Sequence, residues 1–259
     1  MPINQSVCIP IVPKDVMPLE EMIEKIAEIG FPAIEIWGRG DDFETFYNLT
    51  IKNNLRMVSM IGHQSLPDGL NNPANHDRIE AELKESIDIA ADKGISGLIC
   101  FSGNHLPGVD DNEGIANTVT GFRRSTPYAE AKGINLNLEL LNSKVDHSGY
   151  QCDHTIWGLE VVKQVNSPRV KLLYDIYHMQ IMEGDIIRTM VDNLDAIGHI
   201  HTAGNPGRND LDDDQELNYR GICRALAAAG YEGHVGHEFR PKGDLIAALT
   251  QAYTQCLVN

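Results

Sequence analysis

The sequence has no cysteine pattern and no long apolar run. Its five cysteines form neither a CxxC pair nor a regular spacing. A thiolate zinc site and a disulfide framework are therefore not indicated, and free thiols in a reducing compartment are expected. No apolar run approaches the roughly eighteen residues that a membrane-spanning helix needs. The amino-terminal segment lacks a basic stretch followed by an apolar one, so the chain as given predicts no secretory leader and a cytoplasmic location.

Basic residues are also scarce. The chain has 21 lysines and arginines against 37 aspartates and glutamates, with a formal net charge of −16 and a pI near 4.9. Nucleic acids and anionic membranes are bound by clustered Lys and Arg, and the strongest cluster is only the pair Arg123–Arg124. We therefore expect neither a nucleic-acid nor a membrane partner. Solubility explains the acidic balance, and a bound divalent cation would neutralise part of it.

Short β-rich segments alternate with amphipathic helical segments along the chain. The predicted strands are Ser6–Ile11, Ala33–Trp37, Arg56–Ile61, Gly97–Phe101, Ile134–Leu141, Val170–Tyr174, His199–Ala203 and His234–Phe239. The predicted helices are Pro18–Gly30, Asp42–Asn54, His76–Lys93, Asn112–Lys132, Asp153–Val165, Asp185–Ile197, Tyr219–Ala229 and Leu245–Leu257. Eight such pairs in 259 residues fit one closed barrel, whose usual length is about 250 residues. The expected fold class is α/β, a single (β/α)8 TIM barrel that occupies residues 1–259.

Several common catalytic motifs are missing. The first predicted strand is followed by VPKDVMP, without the G-x-G-x-x-G turn of a dinucleotide-binding sheet. There is also no GxSxG nucleophile elbow and no cysteine paired with a nearby histidine. We therefore expect no nucleotide cofactor and no covalent nucleophile.

Four successive predicted units each place an acid or an imidazole at the end of a strand. These residues are Glu139 in INLNLELLN, Asp175 in VKLLYDIYHM, His201 in GHIHTAGNPGR and Glu238 in GHVGHEFRP. In a TIM barrel the carboxyl ends of the strands form the active site, so the four side chains are expected to converge. Three carboxylates and one imidazole suit Mn²⁺, Mg²⁺ or Co²⁺. The spacing therefore predicts a divalent metal site.

Each of these residues also has a structural explanation. Glu139 could face outward towards a helix, and Asp175 could cap the turn that follows it. Glu238 could pair with Arg240, two residues later. His199 alternates with His201 and points to the same face one layer deeper, where a core histidine is the expected role.

The chemistry that remains is proton transfer next to a carbonyl. A metal ion can polarise the carbonyl and the adjacent hydroxyl of a small sugar or hydroxy acid. Glu139 and Glu238, on the fifth and eighth strands, would then approach the metal from different sides, and one could take a carbon-bound proton that the other holds or returns.

The second half of the chain resembles a known family. The run NLELLNS, the D-x-x-H-M pair in YDIYHMQIMEGD, the segment GHIHTAGNPGR with QELNY after it, and the HEF turn are similar to the hydroxypyruvate isomerase branch of the xylose-isomerase-like TIM barrels. The resemblance covers roughly Glu139 to Arg240. It implies that Glu139, Asp175, His201 and Glu238 bind the metal, that Glu139 and Glu238 are the catalytic pair, and that His178 and Arg208 contact substrate oxygens. His63 and Trp37 are further substrate-binding candidates, Trp37 as an apolar wall against a sugar face.

Two positions depart from that family. His201 stands where a hydroxypyruvate isomerase is expected to have a glutamine, and the imidazole is more similar to the epimerases. Val145 stands where both groups tend to have an acid, and Asp146 and His147 follow it. The ring of substrate-binding groups is therefore expected to differ from both.

The resemblance and the site together imply a metal-dependent isomerase of a sugar or hydroxy-ketone, working through an enediolate on a small carbohydrate or hydroxy-keto acid. A keto-sugar 3-epimerase and a metal-dependent lyase or dehydratase on a keto-sugar are the alternatives, since each begins with the same proton abstraction. A phosphodiesterase of the endonuclease IV kind is disfavoured, because it needs a basic DNA-binding face. The oligomeric state is left open, and a homo-oligomer is compatible with the sequence.

Overall fold

A closed barrel of eight parallel strands forms the fold. The structure, a computed structural model, describes residues 2–13 and 16–258. The strands follow one another in sequence order around the barrel, and β1 pairs with β8. They are β1 Asn4–Cys8, β2 Ala33–Glu35, β3 Arg56–Ile61, β4 Gly97–Cys100, β5 Asn135–Glu139, β6 Val170–Asp175, β7 Ile197–Thr202 and β8 His234–His237. The predicted TIM barrel is confirmed.

Helices alternate with the strands. In the part of the chain that the structure describes they are α1 Leu19–Ile29, α2 Phe43–Lys52, α3 His76–Lys93, α4 Asp111–Lys132, α5 Thr155–Val165, α6 Ile176–Met182, α7 Ile186–Asp192, α8 Tyr219–Ala229 and α9 Leu245–Cys256. The helices α1, α3, α4 and α8 each end at a glycine, and Gly30, Gly94, Gly133 and Gly230 lie in the left-handed conformation that glycine tolerates best. None of these helices combines the length and the apolar character needed to cross a membrane.

Two predicted elements differ from the structure, and one helix was not predicted. The first strand ends at Cys8 rather than Ile11, because the backbone turns into a short 3₁₀ segment at Pro10, which has no N–H for a ladder. The short helix α6 was not predicted. The predicted helix Asp185–Ile197 ends at Asp192, and both Ile197 and Gly198 belong to β7. A Cβ at Gly198 would lie 2.3 Å from Asn137 Oδ1, so the strand needs a glycine there.

Close contacts group the chain into two compact units. The first comprises Met1–Ser59, Asp185–Leu194 and Ile200–Asn259, and the second comprises Met60–Gly184 and Asp195–His199. In the first unit β1 pairs with β2 and β8, and α9 packs against α1 and α8. In the second unit β4, β5 and β6 pair in register, and α4 packs between α3 and α5. Each unit buries its own apolar side chains, such as Ile26 and Leu226 in the first and Leu83 and Phe122 in the second.

Candidate active site

The four predicted metal ligands lie where their strands end. Glu139 and Asp175 are the last residues of β5 and β6, Glu238 directly follows β8, and His201 is the penultimate residue of β7. All four are buried, with at most 6% of the residue exposed. Among the described residues, two groups of buried side chains could hold a metal ion, and their ligand atoms lie within 4.8 Å of one another: Glu139, Asp175, His201 and Glu238, and Glu35, His199 and His201.

Hydrogen-bond donors surround the Glu238 carboxylate. Trp37 Nε1 donates to Oε1 over 3.1 Å, the Cys8 thiol lies 3.8 Å from the same oxygen, and the Arg208 guanidinium donates to Oε2. Burial, together with the neighbouring Glu238 carboxylate, raises the pKa of the Cys8 thiol well above its usual range, so the thiol stays protonated and able to donate. His201 Nδ1 lies 3.5 Å from Glu238 Oε2.

The salt bridge of Glu238 is with Arg208 and not with Arg240, the partner considered from the sequence. Arg208 adopts a φ of 56°, a left-handed conformation that is uncommon for a residue with a side chain. Its carbonyl accepts a hydrogen bond from the Arg240 N–H over 2.8 Å. The turn after β7 is therefore fixed to the segment after β8, and it directs the guanidinium onto the carboxylate.

Asp175 is both a strand end and a helix cap. Its Oδ1 accepts a hydrogen bond from the His178 backbone N–H over 3.0 Å, which satisfies one of the free donors at the start of α6. Its Oδ2 lies 3.8 Å from His178 Nε2. The capping role that the sequence offered as an alternative is thus present, and it engages one oxygen of the carboxylate.

Hydrogen bonds in the second unit fix the orientation of the buried His178 ring. Asn142 Oδ1 accepts from the Val145 and Asp146 N–H groups over 2.9 Å, so its Nδ2 is the donor that lies 2.6 Å from His178 Nδ1. His178 Nδ1 is then an acceptor and the ring proton is on Nε2. Asp146 Oδ2 accepts from Asn142 Nδ2 over 2.6 Å and from the Tyr177 hydroxyl over 2.9 Å. Val145, at the position where an acid was expected, is exposed, and the acid in this cluster is Asp146.

The remaining substrate-binding candidates have different surroundings. Trp37 lies beside a cavity of about 360 Å³ lined mainly by apolar side chains, among them Met22, Ile36 and Phe46, and its indole N–H reaches Glu238. His63 is buried, and both of its ring nitrogens bond backbone groups: Nδ1 lies 3.1 Å from Gln64 O, and Nε2 accepts from the Phe101 N–H over 3.0 Å. These contacts favour a structural role for His63.

Burial of His63 should make the stability of the protein depend on pH. Desolvation lowers the pKa of His63 to about 4, whereas an unfolded histidine titrates near 6.5. Between these values the unfolded chain binds more protons, so the stabilisation is complete above about pH 6.5 and is lost as the pH falls towards 4. The loss approaches about 1.4 kcal/mol per pH unit within that window.

Urea unfolding at several pH values between 7 and 4 would measure this effect. His63→Gln should lower stability at pH 7 and flatten the dependence on pH, whereas the same change at the half-exposed His154 should leave the slope of the wild-type protein unchanged. Parallel curves for the wild type and His63→Gln would contradict the expectation.

One buried acid near the predicted ligands was not selected from the sequence. Glu35, the last residue of β2, has no exposed surface, and its Oε2 accepts a hydrogen bond from His201 Nε2 over 3.0 Å. Its Oε1 accepts from the Ser6 hydroxyl over 2.5 Å. The position of Glu35 at a strand end was visible in the sequence. Its hydrogen-bond partner His201, which is 166 residues away, could not be identified from the sequence.

Residues 23–255 match the family described as "Xylose isomerase-like TIM barrel". The chain belongs to this family. It is 28% identical to a hydroxypyruvate isomerase of Escherichia coli over 87% of this chain and 89% of that protein. It is 35% identical to a 2-oxo-tetronate isomerase of Cupriavidus necator over 47% of this chain and 46% of that protein.

A solved structure supports the fold. The crystal structure of an AP endonuclease, family 2, from Brucella melitensis superposes with a TM-score of 0.84 over 100% of both chains, at 24% identity. At that identity the likeness shows the fold alone. The two named relatives are isomerases, which supports the enzyme class expected from the sequence.

Proposed function

We propose that the protein is a metal-dependent isomerase of a small hydroxy-keto acid or keto-sugar, and that Glu139, Asp175, His201 and Glu238 hold the metal. The main support is the close grouping of these four buried side chains, which supply three carboxylates and one imidazole. The names of the relatives, which refer to hydroxypyruvate and 2-oxo-tetronate, favour a 2-oxo acid with an adjacent hydroxyl as the substrate.

The donor set fits a divalent cation. Buried carboxylates are costly unless they are paired or coordinate a metal, and this group places three of them together. Carboxylate oxygens and an imidazole suit Mn²⁺, Mg²⁺ or Co²⁺, and none of the four ligands is a thiolate. When bound, the cation would polarise the substrate carbonyl and the adjacent hydroxyl.

The side chains of the protein would bind the substrate and transfer its proton. Glu139 and Glu238 are the acid–base pair: one removes the proton from the carbon next to the carbonyl, and the other returns a proton to the neighbouring carbon. His178 presents Nε2–H, and Arg208 presents its guanidinium, as donors for substrate oxygens. Trp37, beside its apolar cavity, would form a wall against the carbon skeleton.

A keto-sugar 3-epimerase remains a second candidate because of His201. The imidazole occupies a position where the sequence resemblance led us to expect a glutamine in a hydroxypyruvate isomerase. Epimerisation uses the same two glutamates, but the proton returns to the carbon that lost it. A lyase or dehydratase also starts from the same abstraction and then expels water or another leaving group.

One experiment separates these possibilities. The protein is stripped with EDTA, reloaded with Mn²⁺, Mg²⁺ or Co²⁺, and incubated in D2O with hydroxypyruvate, 2-oxo-tetronate and a set of keto-sugars. Proton NMR should show deuterium entering a carbon position of the substrate. An isomerase gives a product with the carbonyl on the neighbouring carbon, and an epimerase gives one with an inverted configuration. A lyase gives a product that has lost water or another leaving group, which mass spectrometry detects. If no substrate exchanges a carbon-bound proton with any of the metals, the proposal fails.

A further inference from the structure

The hydrogen bonds of Glu35 connect it to a proposed metal ligand. Its two carboxylate oxygens accept from different donors, Oε1 from the Ser6 hydroxyl over 2.5 Å and Oε2 from His201 Nε2 over 3.0 Å. All three residues are fully buried, and all three belong to the first unit. A buried carboxylate held at both ends in this way has one well-defined orientation.

The backbone of β8 leaves room for this pair. A Cβ at Gly236 would lie 2.0 Å from Glu35 Oε1 and 3.0 Å from His201 Cδ2. A side chain at position 236 would therefore force the Glu35 carboxylate to move away from its present position. The arrangement of Ser6, Glu35 and His201 thus depends on a glycine in the strand next to β7.

We infer that Glu35 is a positioning residue that binds the Nε2–H of His201 and keeps Nδ1 as the atom that faces the metal. The inference rests on the proposed function. A neutral imidazole carries one ring proton, and an acceptor on Nε2 places that proton there and leaves the lone pair on Nδ1. Nδ1 lies 3.5 Å from Glu238 Oε2, on the side of the proposed ligands. In this arrangement the Glu35 carboxylate acts as a hydrogen-bond partner, since its two oxygens accept hydrogen bonds from Ser6 and His201.

Such a partner has a known effect on metal sites. A carboxylate that accepts the second N–H of a ligating histidine fixes its ring and raises its basicity, and removing it typically lowers metal affinity about 10- to 100-fold. Glu35→Gln keeps the shape of the side chain but replaces one oxygen by an amide that can donate to Nε2. We therefore expect it to weaken Mn²⁺ binding by roughly that factor.

The first measurement needs no metal. In the EDTA-treated protein with ¹⁵N-labelled histidine, the His201 resonances, assigned by their loss in His201→Gln, should show the Nε2–H tautomer. Glu35→Leu, which removes the acceptor of the Nε2–H hydrogen bond, should shift the population towards Nδ1–H. A wild-type protein with the proton on Nδ1, or a tautomer that Glu35→Leu leaves unchanged, would overturn the inference whatever the enzyme catalyses.

The second measurement is the affinity for Mn²⁺ by calorimetry. Ser6→Ala is the matched control, because it removes the other hydrogen bond of Glu35 but leaves the carboxylate on His201. It should weaken binding by less than about 3-fold, against the roughly 10- to 100-fold expected for Glu35→Gln. If the wild type binds Mn²⁺ and Glu35→Gln binds it equally well, the inference alone is wrong. If the wild type binds no divalent cation, the proposed function fails as well.

Discussion

Glu139→Gln should lower turnover about 10²- to 10⁴-fold at saturating metal, because an amide cannot take a proton from carbon. Glu139 ends β5 with only 6% of the residue exposed, and it belongs to the group of four buried side chains that we propose as metal ligands. The loss should appear in kcat and in the rate at which deuterium enters the substrate carbon. The Mn²⁺ affinity of each variant is measured separately, so that each can be assayed at a Mn²⁺ concentration that keeps the metal bound.

Glu238→Gln should cause a loss of similar size but with a second consequence. The variant keeps an oxygen for the Trp37 indole but removes the negative charge that faces Arg208. The Arg208 guanidinium then loses its salt bridge to Glu238, which changes how it binds substrate oxygens, so KM should change in Glu238→Gln more than in Glu139→Gln.

An exposed glutamate provides the control for both variants. Glu113→Gln, in the first turn of α4, should leave kcat and KM unchanged. A kcat within tenfold of wild type in both Glu139→Gln and Glu238→Gln, with metal bound, would remove the two glutamates from the chemistry.

The barrel could be predicted from the sequence because its information is local. Most strands lie in short stretches rich in β-forming residues, and most helices repeat their apolar residues at helical spacing and often end at a glycine such as Gly94 or Gly133. The proposed ligands could be selected for the same reason, since each lies at or near the end of a predicted strand. Their convergence then follows from the rule that the carboxyl ends of the strands share one face of the barrel.

The partners of these residues could not be predicted in the same way. Glu238 was considered with Arg240, two residues away, but the structure pairs it with Arg208 across a turn whose conformation the sequence does not reveal. The contact between Glu35 and His201 depends on two strands far apart in the sequence. Likewise, the short helix α6 is stabilised at its start by the Asp175 cap, and its seven residues are too few for a periodic pattern to be evident.

Asp175→Asn should separate the two roles of Asp175. Asparagine caps a helix about as well as aspartate, so the stability of the metal-free protein should stay within about 0.5 kcal/mol of wild type. The loss of a ligand carboxylate should lower Mn²⁺ affinity by more than the roughly 100-fold expected for an outer partner such as Glu35. Asp175→Ala should lose the same affinity and, in addition, about 0.5–2 kcal/mol of stability, since the His178 N–H then has no cap.

The amino-terminal cap of α9 supplies the matched control. Asp244 accepts from the Ala247 N–H over 2.7 Å in the same geometry, and it belongs to neither group of buried ligand side chains. Asp244→Ala should therefore reproduce the stability cost of Asp175→Ala in EDTA, while its Mn²⁺ affinity stays that of the wild type. Thermal melts with and without Mn²⁺ complete the comparison. At about 100 times the dissociation constant, the bound ion adds roughly 2.7 kcal/mol to the wild type and to Asp244→Ala but far less to either Asp175 variant. An equal shift in all four proteins would show that Asp175 only caps its helix.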